Sequence, residues 1–119
     1  MTKVLNKLIP FNLIFADGLF LALNIKDTNG YDKDGNPTGE IVGKTITCVD
    51  LVNFEQIKVK VPKTNIEISN EELLEARENS KRIFIEFDNA FVKPYWNSTN
   101  KSVEDSFIAD DFHIVESEL

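Results

Sequence analysis

The chain has 119 residues, of which 42% are hydrophobic and 28% charged, with a formal net charge of −7 and one cysteine. That length fits one domain with one core, and the apolar share is too high for a disordered chain. A lone Cys48 excludes an intrachain disulfide and a cysteine-based zinc site, and it points to a reducing, cytoplasmic setting.

The first 23 residues superficially match a secretory signal, with Lys3 and Lys7 ahead of an apolar run, but Pro10, Asn12, Asp17 and Gly18 interrupt it. No run reaches the roughly 20 apolar residues of a membrane-spanning helix, so no membrane association is expected. Residues 1–10 carry Val4, Leu5, Leu8 and Ile9, apolar enough to predict an arm that packs on a second copy of the chain and makes a homo-oligomer. Residues 11–119 then form the single domain.

FNLIFADGLFLALNI (11–25) predicts two β segments around Asp17-Gly18, a dipeptide suited to a tight hairpin turn; a helix is the competing reading. The polar stretch 27–40 predicts an exposed loop. It resembles a calcium-binding loop, but with Gly35 at the turn, Gly30 takes the first ligand position and Ile41 the bidentate one. A hairpin tip with Asp34-Gly35 or Asn36-Pro37 in the turn is the better account, and no metal or cofactor is expected.

Residues 41–50 and 54–62 predict two strands, the second ended by Pro62. In it Glu55, Ile57, Val59 and Val61 point one way, while Phe54, Gln56, Lys58 and Lys60 point the other. Ser69 and Glu72 have capping-box spacing and predict a helix from Ser69 to about Asn79 or Ser80. A strand over 82–92, with Ile83, Ile85 and Phe87 inward, is expected to end at Pro94 and the polar stretch 97–102. A last strand spans 107–115.

The order is strand, strand, strand, helix, strand, strand, with an extra N-terminal β segment: a mainly β chain with one helix, arranged as a β-barrel of the OB type.

Catalytic chemistry finds little to work with. His113 is the only histidine and Cys48 fits a core position, while the carboxylate pairs 110–111, 104–105 and 71–72 are sequence neighbours that diverge on a strand. No enzymatic activity is expected. Binding of single-stranded nucleic acid is better supplied. Residues 1–65 hold eight Lys and seven Asp or Glu (+1), while residues 66–119 hold five Lys or Arg and thirteen Asp or Glu (−8). A basic groove in the first half therefore survives the acidic total. Phe54, Gln56, Lys58 and Lys60 would form its stripe, with Lys44 and the threonines Thr45 and Thr47 of the preceding strand. Tyr31 and Lys33 would flank it from one loop, and Lys93, Tyr95, Trp96 and Lys101 from another. Rings stack on bases and amines follow phosphates, which suits sequence-tolerant single-strand binding.

The stretches GKTITCVDLVNFEQIKVKVP, ISNEELLEA and RIFIEFDNAFVKPYW resemble the small OB-fold-like single-stranded DNA-binding proteins of Gram-positive conjugative plasmids, integrative elements and phages. The resemblance implies an OB fold, DNA binding without strong sequence preference, with RNA left open, no metal, and a role in conjugation or in plasmid or phage replication. It places that function on Phe54, Gln56, Lys58 and Lys60, then on Tyr95 and Trp96. The alternative function is an acidic protein-interaction module or DNA-mimic inhibitor, motivated by the −8 of residues 66–119.

Overall fold

The computed structural model describes residues 7–15 and 18–115. Eight strands form one sheet: β1 (Ile9–Pro10), β2 (Phe20–Tyr31), β3 (Pro37–Asp50), β4 (Gln56–Val61), β5 (Phe84–Asp88), β6 (Phe91–Asn97), β7 (Ser102–Ile108) and β8 (Asp111–Val115). One α-helix, α1 (Asn70–Glu78), lies between β4 and β5. The strand order is β1-β6-β7-β4-β3-β2-β5-β8, and the hydrogen-bonded sheet does not close into a barrel. All the pairings are antiparallel except β4 with β7, which is parallel. No described helix is long and apolar enough to cross a membrane.

The first apolar run departs from the predicted hairpin. Phe11–Leu13 is a single 3₁₀ turn closed by the Ile14 N–H donating to the Phe11 carbonyl at 2.9 Å, and the Phe15 N–H reaches the same oxygen at 2.7 Å. Gly18 has a positive φ of 64°, yet the segments flanking it pair elsewhere: β1 with β6, and β2 with β3 and β5. The run is apolar because Phe11 and Phe15 plug the core, where their rings lie 5.0 Å apart and Phe20 stands 5.2 Å from Phe15. A short apolar run alone does not distinguish a plug from a strand. Of the proposed oligomerising arm, residues 1–6 lie outside the described residues, and Ile9 and Pro10 pair with β6 of their own chain.

The polar stretch 27–40 is mostly strand rather than loop. It forms the outer half of a long β2–β3 hairpin, and its tip runs from Asp32 to Asn36. There the Gly35 N–H donates to the Asp32 carbonyl and the Asp32 side chain accepts from the Asp34 and Asn36 N–H groups. Gly35 takes φ +83°, as expected for the Asp34-Gly35 turn.

A bulge in β2 between Ala22 and Asn24 shifts the alternation by one residue, so the buried positions are Phe20, Ala22 and then Ile25. The bulge also frees backbone groups for the helix: Arg77 donates to the Leu23 carbonyl at 2.8 Å, and the Ile25 N–H donates to Asn70 Oδ1 at 2.8 Å. The helix starts as predicted, with Ser69 Oγ accepting from the Glu72 N–H and Glu72 Oε1 from the Ser69 N–H. Leu73, fully buried, is its core anchor.

Two predicted strands are each broken in two. RIFIEFDNAFV splits at Asn89-Ala90, where Asn89 adopts φ +50°, a conformation asparagine tolerates. The last strand splits at Ala109-Asp110 and its first half begins earlier, at Ser102. Pro94 does not end β6 but lies within it, opposite Asp105 of β7. Its other edge is the one β1 covers only at Phe91 and Val92, so no ladder bond is lost there.

Candidate nucleic-acid interface

β4 keeps the alternation read from its sequence: Ile57, Val59 and Val61 are buried and Gln56, Lys58 and Lys60 exposed. Across β3, Lys60 faces Thr45 and Lys58 faces Thr47; across β2, Thr45 faces Lys26 and Thr47 faces Asn24. Lys26, Thr45 and Lys60 thus form one cross-strand row and Asn24, Thr47 and Lys58 the next. Thr47 is nonetheless buried, and Thr45 shares a 2.6 Å hydroxyl contact with Thr28, so the lysines rather than the threonines are presented.

On the other side, β7 joins β4 in parallel, with Lys60 opposite Ile108, and β6 joins β7 with Lys93 opposite Ser106 and Tyr95 opposite Glu104. This topology brings together residues 33 or more positions apart in sequence. Lys58, Lys60, Lys93 and Tyr95, with Asp105 and Ser106, line one concavity of about 570 Å³. Among the described residues the ion pairs are Lys44–Asp27, Lys63–Asp111 and His113 with Glu86 and Asp88, and the three lysines of the concavity enter none of them.

Tyr95 is half-buried and fixed, its hydroxyl donating to Glu104 Oε2 at 3.2 Å. Glu104 also accepts from Asn100 at 2.9 Å and Asn97 at 2.7 Å. Those donors, Asn100 first, hold the Glu104 carboxyl below its ordinary value, and its hydrogen bond to Tyr95 pushes the phenol up. At neutral pH the ring is therefore an uncharged phenol anchored at its polar end.

The other predicted site residues lie elsewhere. Phe54 falls in the turn before β4, at φ +58°, and the residue is 76% exposed. Buried Asp50 builds that turn, accepting from the Val52 and Asn53 N–H groups through its side chain and from Phe54 through its carbonyl. Lys44 sits on the opposite face, since its cross-strand partner is buried Val61, and it is paired with Asp27. Tyr31 is exposed near the tip of the β2–β3 hairpin, paired with Pro37. Trp96 pairs with Val103, and strand alternation sets both on the face opposite Tyr95, where each is more than half exposed. Lys101, at φ +52°, ends the β6–β7 turn.

One basic residue of the face escaped the sequence reading. Lys26 is exposed in the Thr45–Lys60 row, and its place next to buried Ile25 was the available signal. Cys48 is fully buried, and burial pushes its thiol up to about 12, leaving it an inert core residue. His113 is an exposed strand residue between Glu86 at 3.4 Å and Asp88 at 3.3 Å.

Comparison with protein-family models, with curated proteins and with solved structures found no match to this chain.

Proposed function

We propose that the protein binds single-stranded DNA without strong sequence preference, along the concave face of β4, β6 and β7. The observation that carries this reading is the convergence of Lys58, Lys60 and Lys93 beside the Tyr95 ring in one concavity. The lysines supply a salt-dependent attraction for phosphates and the ring supplies a stacking surface. Gln56, exposed on the same face of β4, continues the path toward the β3–β4 turn, and Lys26 widens it across β3.

An OB-type fold is the architectural side of the same proposal. Three observations support it: the helix lies between β4 and β5, β4 and β7 pair in parallel, and β5 beside β2 runs through Asn89-Ala90 into β6 beside β7. On this view β5 and β6 are two halves of one bent strand that links the ends of a five-stranded barrel through the chain rather than through hydrogen bonds. β1 and β8 are then additions at the edges. Service in conjugation or in plasmid or phage replication remains part of the proposal, through the resemblance described above.

The test is fluorescence anisotropy of labelled oligo-dT over a salt series, with oligo-rU as a second arm. Three phosphate contacts predict log Kobs falling with log salt at a slope of about −2. Failure to bind either strand at low salt would overturn the reading.

A further inference from the structure

Resting on that reading, we propose that one nucleobase of the bound strand leaves the stack and enters an apolar recess at the Lys60 end of the concavity. The recess has a volume of about 340 Å³ and is walled by Val42, Pro62, Phe91 and Ile108, with Asn89 and Asp110 also lining it. That volume is at the lower end for small-molecule sites, suited to a single ring system.

Register ties the recess to the lysine face. Phe91 pairs with Ile108 across β6 and β7, and Ile108 pairs with Lys60 across β7 and β4, so the three side chains form one row. Lys60 lines both the recess and the lysine concavity. A nucleotide whose base lies between Phe91 and Val42 therefore keeps its phosphate on the Lys60 side. The other end of the recess fixes the direction, because the Asp110 carboxylate, which accepts from Asn89 Nδ2 at 3.0 Å, repels a phosphate there. Gly43 lines the recess beside the end of β4: a Cβ at this position would lie 2.2 Å from the Val61 carbonyl oxygen, so only glycine fits there. A purely apolar ligand would match these walls but would leave the shared lysine without a role.

The experiment compares labelled oligo-dT with an abasic deoxyribose-phosphate strand of equal length, at low salt, for the natural chain and for Val42→Trp. Val42 is 49% exposed, so the larger ring covers the recess without entering the core. The expected result is an approximately tenfold loss of oligo-dT affinity with the abasic strand unaffected. Unchanged oligo-dT binding in Val42→Trp, or an equal loss on both strands, would overturn the base recess while leaving the nucleic-acid reading intact. If the natural chain binds neither strand, that reading fails and takes the recess with it. A measurement without any variant uses a strand carrying 5-iodouracil, photocrosslinked and mapped by mass spectrometry. Attachment at Phe91 supports the recess, and attachment confined to Tyr95 contradicts it.

Discussion

The lysine concavity of β4, β6 and β7 contrasts with the β5–β8 pair at the end of the strand order. There Glu86 faces His113 and Asp88 faces Asp111 across the two strands, and Asp110 donates its backbone N–H to the Asp88 carbonyl. One region holds three amines outside the described ion pairs against the single carboxylate of Asp105, whereas the other holds four carboxylates served by one imidazole and Lys63. A net charge of −7 averages over both and describes neither. Attraction for a polyanion is set by the local field of a face rather than by the total charge, and an acidic edge repels it.

Reversing the charge of the concavity should break this contrast most completely. Lys58→Glu with Lys60→Glu is expected to lower oligo-dT affinity by about a hundredfold or more at low salt and to flatten the salt dependence, read by anisotropy. Removing the ring is a smaller change: Tyr95→Ala should cost roughly fivefold to tenfold, with the salt slope retained, because stacking and not charge is lost. Neutralising the acidic edge with Glu86→Gln and Asp88→Asn should change affinity less than about twofold. A large gain there would show that the two regions are not independent.

The smallest effect concerns pH. The hydrogen bond from Lys63 at 2.7 Å, with the Phe112 N–H adding to it, holds the Asp111 carboxyl below its ordinary value. A depressed carboxyl stabilises the fold above its unfolded-state pKa, and that contribution fades as pH falls through the lower folded value. Lys63→Met should return the Asp111 titration toward the ordinary carboxylate range in an NMR pH series. Both partners are partly exposed, so only a slight change in melting near neutral pH is expected.

Much of the fold was legible wherever a local rule decides. The alternation of β4, the Ser69 capping box, the Asp34-Gly35 turn and the burial of Cys48 each depend on a few adjacent residues and a fixed period. Where tertiary context decides, local rules fall short. Phe11 and Phe15 look like strand residues because a plug needs the same side chains. Asn89 and Ala109-Asp110 break segments in which apolar residues resume directly after a polar pair, with no proline or glycine to mark the stop, and Pro94 stays in β6 because its exposed edge needs no donor. For the site, Lys58 and Lys60 could be read from one strand, but their meeting with Lys93 depends on the parallel β4–β7 pairing, which no local pattern encodes. Trp96 is the converse case, since its parity against Tyr95 already separates the two rings.

On the proposed function one face, and not the other, receives the strand. Amide chemical-shift mapping of the ¹⁵N-labelled protein titrated with oligo-dT tests it most directly. The largest shifts are expected at Lys58, Lys60, Lys93 and Tyr95, with Glu86, Asp88 and His113 unmoved; shifts concentrated on β5 and β8, or on the Lys44 and Trp96 face, would overturn the proposed binding face.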